Sequence, residues 1–219
     1  MSEFPGAARV MKGAIIGIDG SSPLSRIVRF QYNPESVVRS LSPRTGPKAT
    51  PSASGADATA KETYKLTGPP TETISLDLHL DAADQLEIAD PIAVGFGLHP
   101  QLASLELLLY PKLDQLKKQW AKLDKGVAEV QPMEAPVTLF FWGVQRVQPV
   151  RVKSLSVTES NFDSKLNPIQ AVVKVELETL SYDELTGATK DLYVVYQQAK
   201  EVLATLGGLR TVTSALLGV

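Results

Sequence analysis

The side chains best suited to chemistry fall in one stretch of this sequence. Asp77, His79 and Asp81 stand at alternate positions, and Asp84, Glu87 and Asp90 follow. In an extended strand alternate residues share a face, so the first three would project together. Imidazole and carboxylate groups are ligands for divalent metals. The same spacing has a simpler cause, because Ile74, Leu76, Leu78 and Leu80 fill the intervening positions. That is the pattern of a strand with one dry and one wet face. A metal site needs ligands that converge from the surrounding fold, so the solvated face is the reading adopted, with no metal.

The rest of the inventory is poor in catalytic patterns. His99 is the other histidine of the chain; beside Pro100 and ahead of a helical stretch it reads as a surface or capping residue. There is no G-x-S-x-G elbow and no H-E-x-x-H pair. Gly13, Gly17 and Gly20 lie on an apolar strand and its turn, whereas phosphate cradling needs glycines between a strand and a helix. The chain has no cysteine, hence no thiol nucleophile, no disulfide framework and no Cys-ligated metal. The expectation is a protein that is not an enzyme and carries no cofactor.

Charge and length narrow the partners. The 219 residues are 43% hydrophobic and 21% charged, ordinary for one globular domain with elaborations. Lys and Arg number 22 against 24 Asp and Glu, for a net charge of −2; nucleic-acid binding rests on clustered cations and is not expected. The one local excess, Lys112, Lys117, Lys118, Lys122 and Lys125, is diluted by Asp114 and Asp124 and reads as a wet helix face. The most apolar run, Val202 to Val219, contains Arg210 and Gly207-Gly208, so no membrane span is expected. Met1 to Val10 lacks the layout of a signal peptide, which points to a cytoplasmic protein.

Positioning these residues requires mostly strands. Lys12 to Asp19 and Ser25 to Tyr32 flank a Gly20-Ser21-Ser22-Pro23 turn and predict an antiparallel hairpin. Asn33-Pro34-Glu35 predicts a strand-ending turn, and Ser36 to Leu41 a further short strand. Ser42 to Thr63 is mostly Ser, Thr, Ala, Gly and Pro; it buries too little to offset its ordering entropy, so 42–70 reads as a flexible arm or loop. Glu72 to Leu80 is the clearest strand. The segment 99–126 reads as a helical insertion, with Leu102, Leu105 and Leu109 before Pro111, then Leu113, Leu116, Trp120 and Leu123. Gly126 to Pro136 connects to strands at Val137 to Trp142, Arg151 to Val157 and Ile169 to Tyr182, the last two joined by Asn161 to Pro168.

Alternation slips by one residue between Val152 and Leu155, and again between Leu177 and Leu180; such slips predict β-bulges. Thr189 to Leu206 predicts a helix with Leu192, Val195, Ala199, Val202 and Leu206 inward, followed by an apolar tail. Phe140, Phe141 and Trp142 put aromatic bulk on both faces of one strand, one face for the core and the other for a subunit interface. About six alternating strands with helical additions predict a mainly β fold, an antiparallel barrel or sandwich with a helix packed on it.

Several of these segments together resemble a known family. Phe30-Gln31-Tyr32-Asn33-Pro34-Glu35, Thr73 to Leu78, Leu105 to Pro111, Pro136 to Gly143, Phe162-Asp163, Asn167-Pro168 and Ala171 to Leu177 resemble, in order and spacing, contractile injection system tube and baseplate proteins. The likeness is to the tube-like N-terminal domain of LysM-type tube-to-hub adaptors and runs from about residue 12 to 182. It implies a β-barrel of the phage tail-tube type over 1–182, with 183–219 as a C-terminal helix and tail too short for the LysM module. It also implies a hexameric ring of this chain in the baseplate, assembled in an injection particle and joining the inner tube protein to the spike or hub protein, beside other baseplate or sheath subunits. The alternatives are the inner tube subunit itself and a small-ligand-binding barrel. The motif positions it assigns to assembly contacts are Phe30, Tyr32, Asn33, Pro34, Phe141 and Trp142, with Asp77 and His79 on a polar face lining a lumen or an inter-ring contact.

Overall fold

A computed structural model describes residues 11–18, 27–44, 66–111, 113–124 and 137–217. Most of the 42–70 arm, the turn at 19–26 and the 126–136 connector lie outside the described residues.

Among the described residues seven strands form one antiparallel sheet: β1 (Ala14–Ile18), β2 (Ile27–Arg29), β3 (Val37–Ser42), β4 (Thr71–Asp81), β5 (Val137–Phe141), β6 (Val147–Phe162) and β7 (Pro168–Thr179). Their order is β2-β1-β5-β6-β7-β4-β3. The expected β1–β2 hairpin is present, with Ile15 opposite Val28. Alternation does its expected work in β4 and β7. Ile74, Leu76, Leu78 and Leu80 pair with Leu177, Val175, Val173 and Ala171 on one buried face, while Asp77 and Lys174 pair on the other.

The barrel expectation is corrected. Among the described residues β2 and β3 end the sheet and do not pair with each other, so the sheet stays open. Alternation requires only that something cover the apolar face, and here helices supply the cover. Three short helices follow β4: α1 (Ala83–Glu87), α2 (Pro91–Phe96) and α3 (His99–Glu106). Leu98, Leu102, Leu105 and Leu108 from this insertion join the sheet's inner leucines and valines, with Ile15, Phe30 and Phe140, in one core. The insertion thus begins earlier than the 99–126 expected. Its start is legible in hindsight, since Asp90 caps α2 by accepting from the Ile92 and Ala93 N–H groups at 2.9 and 3.0 Å, with Pro91 in the first turn. Gly97 then turns at φ +55, and a Cβ there would meet the Pro168 carbonyl at 2.5 Å; the next residue, Leu98, donates to that carbonyl at 2.9 Å. Only glycine fits so close an approach.

Three further expectations change. The 151–157 strand is really the sixteen-residue β6, continuous from Val147 through Asn161 and Phe162. Its expected bulge is present, with the register shifting between Val152 and Ser154. The second slip, after Leu177, is no bulge; β7 ends at Thr179. The fourth helix, α4 (Leu113–Leu123), has its lysines at 117, 118 and 122 exposed as expected, but it buries none of its residues, and Trp120 is 56% exposed.

The C-terminal helix α5 (Ala188–Leu217) is longer than expected, continuing through much of what reads as a tail. Its inward face also differs. Tyr196 is buried with Leu192 and Ala199 partly covered, whereas Val195, Val202 and Leu206 are 60%, 60% and 56% exposed. The helix packs against β6, and its Lys200 reaches Glu72 of β4 at 3.6 Å.

Candidate assembly surfaces

The Phe30–Pro34 motif works as a clamp. Phe30 is 2% exposed, its ring beside Trp142 with centroids 6.3 Å apart, and Trp142 stacks on Phe140 at 6.1 Å. Gly13 runs so close beneath that a Cβ would fall 2.6 Å from the Phe30 ring. Asn33 donates from Nδ2 to the Met11 carbonyl and accepts at Oδ1 from the Gly13 N–H, both at 2.9 Å. Gln31 pairs with the Asp81 backbone in both directions, donating to its carbonyl at 2.6 Å and accepting from its N–H at 2.9 Å. One loop therefore ties the strand leading into β1 to the end of β4. Pro34 is buried and Tyr32 exposed. Phe30 and Pro34 thus face the interior of their own chain, and Tyr32 and Asn33 are the exposed side chains of the motif. Sequence reasoning missed Gln31; a glutamine between two aromatic residues carries no signal of its own.

Asp77, His79 and Asp81 do share the outer face of β4, as their spacing requires, but each has a separate environment. Asp77 stands opposite Lys174 and His79 opposite Val172, both exposed. Both carboxylate oxygens of Asp81 are engaged, one by the Ala83 N–H at 2.7 Å and the other by Gln170 Nε2 at 2.8 Å. Asp84 and Glu87 have moved onto α1, and Asp90 is occupied in capping α2. No cluster able to hold a metal exists among the described residues. His99 opens α3 at the surface.

Further along the same outer face the charges are paired. Lys153 meets Glu176 at 3.0 Å, and Arg151 meets Glu178 at 3.0 Å and Glu184 at 3.8 Å. The Lys153 hydrogen bond, followed by that from Ser154, holds Glu176 below the usual carboxylate range. Glu184 is lowered chiefly by the Ser181 N–H. The other motif pair, Asp163 and Asn167, shapes the β6–β7 turn. Asp163 accepts from the Asn167 and Lys165 N–H groups at 2.8 and 2.7 Å and from Asn167 Nδ2 at 2.8 Å, and the Asn167 N–H above all lowers its pKa.

Toward β1 and β5 the outer face turns apolar. Ile16 lies opposite Leu139, Ala14 opposite Phe141, and Phe141 opposite Val147. Phe141 and Leu139 are partly covered, and Ile18 and Ile27 are exposed. Phe140 points the other way and is fully buried, so the aromatic run does serve two faces. Trp142, beyond the strand, is partly exposed.

At the β3 edge a charged group enters the inner face. Glu72 shares the parity of Ile74 and is 3% exposed, yet ionic partners surround it: Arg39 Nε at 2.6 Å and Lys200 Nζ at 3.6 Å. Lys200 also sits 4.3 Å from the Tyr196 ring centroid. Burial, helped by Glu72, raises the Tyr196 phenol above its ordinary value; burial does the same for Tyr193.

A sheet whose two edges are unpaired among the described residues, with a wet outer face and an apolar band on that same face, marks a protein shaped for contact with other chains. The chain matches the family model of contractile injection system tube proteins over residues 17–187, and it belongs to that family. Members assemble with themselves in injection particles, and a structural role in the tube of such a system follows. Comparison with curated proteins found no match. Among the described residues no helix is long and apolar enough to cross a membrane.

Proposed function

We propose that this chain forms a hexameric ring in the baseplate of a contractile injection system, joining the inner tube to the spike hub. The observation that carries the reading is the sheet left unclosed among the described residues, with unpaired edges at β2 and β3. Unpaired edges invite pairing with another chain, and repeated head-to-tail contacts of one chain close into a ring. In this reading residues 1–182 are the ring-forming unit and 183–219 an appendage, and the 42–70 arm orders along the adjacent subunit. Neighbours cover Tyr32, Phe141 and Trp142, while Asp77 and His79 face a lumen or the next ring. A second reading, the inner tube subunit itself, draws support from the tube-protein family match. A small-ligand barrel fits less well, since its binding site requires a closed interior.

The test is a C-terminal tag on the chain in its native cells, gentle capture, and electron microscopy of the eluate. Sheathed tubes labelled near one end support the adaptor, and label along the whole tube makes it the tube subunit. Recovery of free protein alone, from cells shown to contain such particles, overturns both.

A further inference from the structure

A cleft of about 430 Å³ opens at the β3 edge, under α5, with Arg39, Leu41, Trp142, Arg146, Tyr196 and Lys200 in its wall. Its charge is unbalanced. Arg39 and Lys200 share the single buried carboxylate of Glu72, and Arg146 has no ion-pair partner among the described residues. Among the described residues the cleft therefore presents one guanidinium without an ion-pair partner and two half-neutralised cations between two aromatic side chains, a setting that suits a carboxylate on an apolar backbone. Among the described residues β3 is bonded to β4 on one side only. A strand added on its open side would continue the sheet and place alternate side chains over the same face as Arg39 and Leu41. β2 of a second copy is a poor occupant, since its three residues, Ile27, Val28 and Arg29, bring no carboxylate to the cleft.

We propose that this cleft is a carboxylate-binding site that anchors an acidic, extended segment of a different polypeptide as that segment pairs with the free edge of β3. The cleft supplies specificity and the edge supplies backbone hydrogen bonds. This goes beyond the ring reading and takes β3 from it: with a different chain on β3, the ring contacts fall to β2 and to the apolar outer band at Ile18 and Ile27.

The chain has two tryptophans, and Trp120 is exposed on a helix that buries nothing. In a Trp120→Phe background, Trp142 fluorescence reports the cleft alone. Two capped peptides are titrated into the full chain, Thr-Val-Glu-Val-Thr and the same peptide with Gln in place of Glu. A hydrogen-bonded carboxylate should give saturable binding about tenfold tighter for the Glu peptide, a preference that added salt weakens. Arg146→Gln, which breaks no ion pair among the described residues, should leave the circular dichroism unchanged and remove the preference. Equal binding of the two peptides, no saturable response, or an unchanged preference in Arg146→Gln overturns the site. Particle formation is read separately, so loss of the site leaves the ring reading standing.

Discussion

Asn33 illustrates how one side chain can hold distant backbone. Its amide satisfies the Gly13 N–H and the Met11 carbonyl together, and Gly13 is buried, so Asn33→Ala strands a donor that water reaches poorly. Urea denaturation should show a loss of about 1–3 kcal/mol; a change under about 0.5 kcal/mol, the level of an ordinary surface substitution, would mean the clamp contributes little. Tyr196 gives a pH-dependent counterpart. Its phenol is raised above the ordinary 10.0 by burial, so the stability it brings is complete below pH 10.0. Above that the unfolded chain ionises first, and stability falls until the folded value is passed. Tyr196→Phe should flatten this alkaline decline, measured as urea midpoint against pH; an equally steep decline would place the effect elsewhere. The sequence showed Asn33 as a turn residue but not its partners, since those lie about twenty residues upstream. Glu72 is harder still. Its even parity with Ile74 was visible, yet a charged residue at a strand's end normally marks the surface, and only Arg39 and Lys200, from two other elements, make its burial tolerable.

Among the elements, β6 shows where periodicity suffices. Lys153 is the additional residue of the bulge, with Val152 opposite Leu177 and Ser154 opposite Glu176. Deleting Lys153 would keep Val152 and Leu155 on the core face, so secondary structure and core should survive, while the local bend and the Glu176 ion pair are lost. Near-native circular dichroism with failed particle assembly is the expected outcome; normal particles would show that the bend does not set subunit shape. In α5 the apolar spacing was readable, but the side that meets the sheet was not. The expected stripe of Val195, Val202 and Leu206 is outside, and Tyr196 is inside. A helix with apolar residues on two sides leaves the choice to tertiary packing. Tyr196→Ala should therefore cost about 3 kcal/mol, as for other buried aromatics. Val202→Ser with Leu206→Ser should change monomer stability by less than about 0.5 kcal/mol; a large loss would mean the stripe is covered within the chain. The short helices α1 and α2 escaped notice because Asp84, Glu87 and Asp90 read as an acidic face. Asp90-Pro91 was in fact a start signal.

For the molecule as a whole, alternation is the same in a closed barrel and in an open sheet covered by helices on one face, which is why the strands were legible and closure was not. Closure depends on whether the two edges meet, and β2, at three residues, offers little for β3 to pair with inside one chain. The wet outer face of β4 and β7 then acquires a meaning only in the assembly. If that face lines a lumen, a residue on it must be open in the free chain and shielded in the particle. The absence of cysteine makes the comparison clean, since Asp77→Cys or His79→Cys introduces a unique thiol at an exposed position. Both should react fully with a small maleimide in free chain and in particles, because a lumen admits small molecules. A maleimide carrying a long polyethylene glycol chain should label free chain and fail on intact particles. Equal labelling by the large reagent in both states would put this face on the outer wall. Protection from the small reagent as well would put it in a packed contact between rings.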